Sequence, residues 1–241
     1  MTDEELRPEE DLRHVMNGLL STLSHDLRTP LSAIAGWLFL LESDKLDADA
    51  KKRALAKIRA NVKDQVQLID DVALLSRSRT GHLQMYPTLI SPLGPLETAL
   101  ANVRPAAIAG AIDLKPIKVI QTGEVMADEE RLLRVFEILL SHAIKTTPSG
   151  GNIDTSVSVR DQYVEITLSD DGKGVSQVDL PYLFDAFRKE ENAEGSAYPG
   201  AERSLMLARA LVEKQGGLLH ASSRGLALGT TFTLQMPIVH A

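Results

Sequence analysis

The sequence predicts two folds in succession. The first is a hairpin of two long α-helices, which becomes a four-helix bundle when two chains associate. The second is an α+β sandwich whose mixed, largely antiparallel sheet is covered by helices on one face. Apolar residues recur at helical spacing until a polar break at residues 77–81, and paired alternating stretches with helices between them follow it. We therefore divide the chain into residues 1–80 and 81–241.

The composition excludes several classes of protein. The 241 residues are 44% hydrophobic and 24% charged, with a net charge of −7, which argues against a general affinity for nucleic acid or anionic membrane. There is no cysteine, so disulfides and thiolate chemistry are excluded. No apolar run approaches the roughly 18–20 residues needed for membrane insertion, and the acidic N-terminus is unlike a signal peptide. We expect a soluble, cytoplasmic protein.

The hairpin is predicted from two amphipathic helices, at residues 8–43 and 50–78, with Asp47 or Asp49 as the N-cap of the second. Two helices seldom bury both of their apolar stripes, so we expect a homodimer through residues 1–80; the alternative is that the rest of the chain covers them. The two stripes consist of Leu12, Met16, Leu19, Leu23, Leu27, Ile34 and Leu41, and of Leu55, Ile58, Val62, Val66, Ile69, Val72 and Leu75.

The second part is predicted from shorter elements, taken in chain order. Alternation or short β-branched runs predict strands, helical periodicity predicts helices, and Gly-Gly pairs end two of the helices. The predicted elements are a strand at 82–89, a helix at 92–104, a strand at 117–120, a helix at 128–146, strands at 153–160 and 163–169, a helix at 202–215, and strands at 218–223 and 229–236.

The segment 24–31 reads Ser-His-Asp-Leu-Arg-Thr-Pro-Leu and carries the most distinctive chemistry. At about 100° per residue, His25 lies roughly 160–200° away from the apolar stripe and points outward, with Asp26 beside it and Thr29 one turn later. Pro30 should bend the helix just past the histidine. An exposed imidazole beside a carboxylate is a candidate nucleophile; the alternative is a surface histidine that takes part in no reaction.

A second group of candidates lies in residues 81–241. Asp170, Gly172 and Gly174 follow a predicted strand in the sequence Asp-Asp-Gly-Lys-Gly, which on its own also suits a simple turn. Lys145 ends a helix, where a cation is favourable in any case. Phe184 and Phe187 also suit the core of a short helix.

Segment 24–31 resembles the phosphoacceptor box of two-component sensor histidine kinases, and residues 128–237 resemble their ATP-binding domain, a fold shared with gyrase, Hsp90 and MutL. The resemblance implies that His25 carries a phosphoryl group and passes it to an aspartate of a response-regulator receiver domain. It further implies that Asp26 holds or deprotonates the ring, that Thr29 orients a water, and that Arg28 contacts phosphate.

The resemblance also assigns the nucleotide site, with ATP and Mg²⁺ as cofactors. Asp170 would accept a hydrogen bond from the adenine amino group, and Gly172 and Gly174 would let the backbone approach the nucleotide. Lys145 would approach phosphate, and Phe184 and Phe187 would belong to the phenylalanine box. Gly200 would be the first glycine of the second glycine box.

Two departures from the family pattern fall on the phosphate end of this site. The two asparagines of the Asn box, the second of which holds Mg²⁺, are replaced by Ile138 and His142, and a neutral imidazole is a poor ligand for a hard ion. The second glycine box keeps Gly200 but has Glu202 and Arg203 in place of later residues. We assign no metal ligand and expect ATP-driven autophosphorylation to be weak or absent.

These observations leave three functional hypotheses in order. The first is a histidine kinase-like phosphotransfer protein that uses His25 with little or no use of ATP, and a competent ATP-dependent histidine kinase is its variant. The second is a non-catalytic pseudokinase adaptor. A gyrase- or Hsp90-like ATPase is disfavoured by the box around His25. Because the hairpin begins close to Met1, we expect any signal to come from an upstream sensor protein or from the rest of a longer chain.

Overall fold

A computed structural model describes residues 27–43, 46–185 and 201–239. Its contacts separate two compact units, with the chain passing from the first to the second between Ser76 and Arg77. Each unit is described by itself.

The first unit contains two helices, α1 at residues 27–42 and α2 at Ala48–Arg79. Asp47 caps α2, because its Oδ1 accepts a hydrogen bond from the Ala50 amide at 2.6 Å and its carbonyl accepts one from Lys51 at 2.9 Å. The N-cap and the helical hairpin predicted from the sequence are both present. The part of the first helix before residue 27 lies outside the described residues.

The predicted apolar stripe of α2 separates into two stripes with different exposure. One stripe is buried or half-buried, and Gln65 within it contacts α1 by donating a side-chain hydrogen bond to the Leu27 carbonyl at 2.9 Å. The second stripe is 45–57% exposed. A single neighbouring helix covers only one face of α2, which is the physical reason for the division. The first stripe is Ile58, Asn61, Gln65, Leu68, Val72 and Leu75, and the second is Leu55, Val62, Val66 and Ile69.

The second unit follows with the elements β1 (Thr88–Ile90), α3 (Leu93–Ala109), β2 (Asp113–Leu114), β3 (Lys118–Val119), β4 (Val125–Ala127), α4 (Glu129–Thr146), β5 (Asn152–Arg160), β6 (Tyr163–Asp170), a 3₁₀ turn (Leu180–Tyr182), α5 (Ala201–Glu213), β7 (Leu218–Ser222) and β8 (Thr231–Pro237). The main sheet has the order β2-β5-β6-β8-β7, and β3 also pairs with β5. β1 and β4 form a separate antiparallel ribbon.

The sheet is mixed and largely antiparallel, as the sequence predicts. β2 and β3 run parallel to β5, whereas the β5–β6, β6–β8 and β7–β8 pairs are antiparallel. Alternate residues of β6 and β8, such as Ile166 and Phe232, are fully buried on the face covered by helices. The other face is polar: the hydroxyls of Ser169 and Thr231, for example, are hydrogen bonded at 2.8 Å.

Several predicted bounds were wrong, and each error has a local cause. The strand predicted at 82–89 is confined to β1, and α3 continues through Pro105 to Ala109. β2 and β4 were not predicted, because strands of two or three residues carry no periodicity and depend on their partners. Pro105 is tolerated because the remaining backbone hydrogen bonds and the buried face of α3 hold the helix.

α4 is held at its N-terminus by Asp128, which is 5% exposed. Its carboxylate accepts hydrogen bonds from the Arg131 amide at 3.1 Å and from the Tyr86 amide at 2.9 Å. Its own amide donates to the Gln215 side chain at 2.8 Å, so three segments far apart in sequence meet at the start of this helix. The position of α4 over the sheet is therefore fixed at this end.

Within residues 27–43, 46–185 and 201–239, no helix combines the length and the apolar character needed to cross a bilayer.

Thr155 on β5 provides a test of the core. Its side chain is 2% exposed, and its Oγ1 has no hydrogen-bond partner among the described residues. Thr155→Val keeps the shape and removes the unsatisfied hydroxyl, so we expect the free energy of unfolding to rise by about 1 kcal/mol in urea denaturation.

Thr167→Val on the opposite face is the matched control. The Thr167 hydroxyl is paired with that of Ser156 at 2.5 Å, so this substitution should lower the free energy of unfolding by roughly 0.5–1 kcal/mol. Equal effects of the two substitutions would contradict the assignment of an unsatisfied hydroxyl to Thr155.

Candidate functional site

A buried carboxylate stands at the end of the central strand β6. Asp170 is 7% exposed, and its Oδ1 accepts hydrogen bonds from the backbone amides of Gly172 at 2.9 Å and Thr230 at 3.3 Å. Its Oδ2 is buried and has no partner within the described residues. Burial raises the pKa of Asp170 above its ordinary value, although the two amides act in the opposite direction. The free oxygen is suited to accept a hydrogen bond from a ligand.

Close backbone contacts explain the glycines around Asp170. A side chain on Gly172 would come within 2.6 Å of the Thr146 carbonyl, and one on Gly174 would collide with the Gly225 carbonyl. Gly229 meets the Asp170 carbonyl in the same way, and both Gly174 and Gly229 have positive φ. The glycines are thus needed for protein loops to approach each other, beyond any approach to a ligand.

Ser223 ties together the loops that follow β6 and β7. Its hydroxyl accepts a hydrogen bond from the Val175 amide at 3.0 Å and donates to the Gly229 carbonyl at 2.7 Å. The loop after β6 also reaches α4, because the Lys173 amide donates to the Thr146 carbonyl at 3.1 Å. The site therefore brings together the end of α4, the end of β6 and the loop between β7 and β8.

Lys145 lies in the last turn of α4 and is exposed, one residue before the Thr146 carbonyl that contacts the glycine loop. The structure brings Lys145, Asp170, Gly172 and Gly174 to the same edge of the second unit. Gly200 and Phe187 lie outside the described residues.

The two Asn-box positions are part of the core. Ile138 is 4% exposed and His142 is 5% exposed. The His142 ring lies edge-on to Phe232 with 5.4 Å between ring centroids, and Phe232 in turn contacts Phe184 at 6.3 Å. Burial, with a smaller contribution from Lys145, lowers the pKa of His142 to about 4. The imidazole is therefore neutral at pH 7.

A polar groove of about 590 Å³ lies beside this site. It is lined in part by Asn152, Asp154, Ser169 and Thr231, which alternate along their strands with buried residues. The groove therefore opens on the polar face of the sheet, whereas the Asp170 side chain is buried on the other side.

The predicted residues of the hairpin are placed only in part. Arg28 and Thr29 lie in the first described turn of α1 and are exposed. His25 and Asp26, with the predicted orientation of the imidazole, lie outside the described residues. The bend at Pro30 stays a prediction.

Two contributors to the site were missed by sequence reasoning. Thr230 acts through its backbone amide, and Ser223 acts through a hydroxyl that joins two loops. The pair Gly229-Thr230 at the start of the last strand was a usable signal, since a glycine there marks a close backbone approach. Ser223 gave no signal of its own.

Comparison with known proteins identifies both parts of the chain. Residues 15–81 match the family model described as the His Kinase A (phospho-acceptor) domain. Residues 127–240 match the model described as histidine kinase-, DNA gyrase B-, and HSP90-like ATPase. The chain belongs to the two-component sensor histidine kinase family.

Curated relatives in this family are longer than the chain. The chain is 27% identical to the sensor histidine kinase YcbM of Bacillus subtilis, covering 92% of this chain and 71% of YcbM. It is 29% identical to the signal transduction histidine-protein kinase BaeS of Escherichia coli, covering 91% of this chain and 46% of BaeS. The chain therefore spans less than half of BaeS.

Solved histidine kinases have the same fold. The Acinetobacter baumannii histidine kinase AdeS superposes with a TM-score of 0.67 at 21% identity, covering 90% of this chain and 98% of that one. Full-length ShkA in complex with AMPPNP superposes with a TM-score of 0.65 at 25% identity, covering 92% of this chain and 46% of the ShkA chain.

The residues present fit one end of the nucleotide that this family binds. The buried Oδ2 of Asp170, which has no partner in the described part of the chain, is suited to accept a hydrogen bond from the amino group of adenine. At the other end, Ile138 offers no ligand atom and His142 is packed edge-on against Phe232, so neither of these positions supplies an oxygen for Mg²⁺. The metal position of the Asn box does not fit the ion.

The depressed pKa of His142 makes stability depend on pH. Between pH 6.5 and about pH 4, the unfolded chain binds a proton at this imidazole that the folded chain does not bind. The free energy of unfolding should therefore fall by about 3 kcal/mol from this group as the pH falls through that range. The raised pKa of Asp170 opposes the loss at the acidic end.

His142→Asn removes the titrating ring and isolates its contribution. Urea denaturation of both proteins between pH 7 and pH 4 should give a flatter pH profile for the variant. Parallel profiles would mean that His142 is not held neutral by the fold.

Proposed function

We propose that this chain is the phosphotransfer part of a two-component pathway, in which His25 carries a phosphoryl group that it exchanges with an aspartate of a response-regulator receiver domain. The observation that carries the proposal is the complete box at residues 24–31, which lies within the match to the phosphoacceptor domain. A relative of the same fold, the histidine kinase ThkA, was crystallised in complex with the response regulator protein TrrA, with a TM-score of 0.67 at 16% identity.

In the proposed reaction, a ring nitrogen of His25 holds the phosphoryl group. The P–N bond breaks as a carboxylate oxygen of the receiver forms a new P–O bond, and the reverse reaction reloads the histidine. Asp26 holds the ring so that the reacting nitrogen keeps its lone pair. Exposure of Arg28 and Thr29 supports roles in contacting the phosphoryl group and in orienting a water, because both are open to an incoming partner.

The nucleotide-binding fold is proposed to bind the adenine end of ATP through Asp170, with weak or absent autophosphorylation. Gly172 and Gly174 shape the loop at this end, and Lys145 and Gly200 are proposed to approach the phosphates. Phosphoryl transfer depends on groups that stabilise the negative charge of the phosphates. The apolar surroundings of Ile138 and His142 do not provide this stabilisation.

We further propose a homodimer formed by the helical hairpin, with the domain boundary at residues 80/81. The exposed apolar stripe of α2 supports this, and α1 adds Leu31 and Leu38, which lie seven residues apart and are 52% and 46% exposed. A second hairpin would cover these stripes in a four-helix bundle. A cytoplasmic location and input from an upstream sensor protein complete the proposal.

The decisive experiment measures His25-dependent exchange. The protein is incubated with a panel of purified receiver domains phosphorylated by acetyl phosphate, and separately with γ-labelled ATP and Mg²⁺, each beside His25→Ala. We expect wild-type protein to accept phosphate from at least one receiver and to incorporate little label from ATP, with neither reaction in His25→Ala.

Other outcomes select other functions. Strong labelling by ATP in the wild type alone would indicate a competent kinase. If His25 exchanges phosphate with no phosphodonor, the result would favour the pseudokinase adaptor, in which the domains only bind and regulate a partner.

The Asn box can be tested by restoring it. The double variant Ile138→Asn/His142→Asn places two amide oxygens where the family has them. We expect incorporation of label from ATP to rise at least about tenfold over wild type, because each tenfold gain needs only about 1.4 kcal/mol of transition-state stabilisation.

The matched control is Ile138→Val/His142→Phe, which changes both positions without adding an oxygen. It should label no better than wild type. If the restored box gives no gain while the variant remains folded and binds ATP, the loss of activity lies elsewhere, for example in the second glycine box.

A further inference from the structure

The first unit contains a hydrogen bond that joins α2 to the start of the described part of α1. The side-chain amide of Gln65 donates to the backbone carbonyl of Leu27 at 2.9 Å. Leu27 follows His25 by two residues in the chain, and Pro30 follows Leu27 by three. The bond therefore reaches the helical turn directly after the histidine.

Pro30 limits the backbone hydrogen bonds of this turn. It has no N–H to donate, so it cannot form a backbone hydrogen bond to the preceding turn. A carbonyl oxygen can accept two hydrogen bonds, and Gln65 supplies one from outside the helix. A contact from α2 thus supports a turn of α1 in which one residue donates no backbone hydrogen bond.

The position of Gln65 is otherwise an apolar one. It belongs to the half-buried stripe of α2 that faces α1, between Asn61 and Leu68 at the alternating spacing of three and four residues. Asn61, the other polar residue of this stripe, donates to the Lys57 carbonyl of its own helix at 2.8 Å. We call this stripe the seam between the two helices. Gln65 occupies a seam position, but its side chain forms a hydrogen bond to α1 instead of an apolar contact.

We propose that Gln65 is a positioning residue for phosphotransfer. By holding the Leu27 carbonyl, it fixes the turn of α1 that contains Pro30, and Leu27 is only two residues from His25 in the chain. The inference rests on the proposed function of His25, and it adds a residue that does not touch the reacting atoms. The competing role is purely structural, since a polar seam residue can also set the register of two helices.

Two variants separate the positioning role from the structural one. Gln65→Leu makes the seam apolar and should raise the melting temperature, while the rate of phosphoryl exchange with a receiver domain falls about tenfold because the histidine is less well oriented. Gln65→Glu keeps the shape but replaces the donor with an acceptor facing a carbonyl, and should slow exchange similarly. In both, the dependence on receiver concentration should stay the same, because the receiver-contacting surface is unaltered.

Asn61→Leu is the matched control. It also makes the seam apolar, but the hydrogen bond that it removes runs to the Lys57 carbonyl of its own helix. This variant should gain stability and exchange phosphate at the wild-type rate. A rate loss in Asn61→Leu equal to that in Gln65→Leu would overturn the proposal, since any change in the seam would then suffice.

Amide hydrogen exchange supplies a readout that does not depend on the proposed function. Residues 28–34 should exchange faster in Gln65→Leu than in wild type, even though global unfolding is delayed, whereas Asn61→Leu should leave them unchanged. Unchanged exchange in Gln65→Leu, or an undiminished phosphotransfer rate, would overturn the role of Gln65. Failure of the wild type to exchange phosphate with any receiver would instead overturn the function of His25.

Discussion

The buried carboxylate of Asp170 determines how the second unit is closed. Removing a carboxylate from water is costly unless its oxygens accept hydrogen bonds, and here one oxygen accepts them from two loops that are far apart in sequence. The loops can reach it only through glycines at 172, 174 and 229, where a Cβ would strike a neighbouring backbone. Ser223 then closes the arrangement by joining the two loops directly. The second carboxylate oxygen has no hydrogen-bond partner among the residues that the structure describes, and the adenine-binding proposal depends on this.

α4 contributes to both ends of the nucleotide site, and the two ends differ. At its C-terminus the Thr146 carbonyl receives the glycine loop, so the geometry around Asp170 is retained. One turn earlier, His142 is enclosed by Phe232, and Ile138 is buried with it. Burial keeps the imidazole neutral, so this part of the helix serves the core. A buried carboxylate at one end, and Asn-box positions that belong to the core at the other, support the proposal of a phosphotransfer protein that makes little use of ATP.

In the hairpin, one face of α2 forms a hydrogen bond to α1 and another face leaves apolar side chains exposed. Gln65 occupies a half-buried position of α2 and hydrogen bonds to the Leu27 carbonyl, three residues before Pro30, which has no N–H to donate. The outer stripe of α2 remains exposed at Leu55, Val62, Val66 and Ile69, where a second hairpin is proposed to pack. Both features depend on which face of α2 meets α1.

The sequence by itself determined the features that arise from neighbours along the chain. Periodicity of 3.6 and of 2 predicted the hairpin, α4 and the β5–β6 pair, and local chemistry predicted the Asp47 cap and Asp170. The tertiary structure alone decided what depends on distant segments. It created β2 by pairing it with β5 and β4 by pairing it with β1, buried His142 against Phe232, and supplied Thr230 to Asp170. It also selected which α2 residues face α1, and so revealed Gln65, whose partner lies 38 residues away. A pattern within one helix indicates that a face is apolar, but only the packing of another segment determines whether that face is buried.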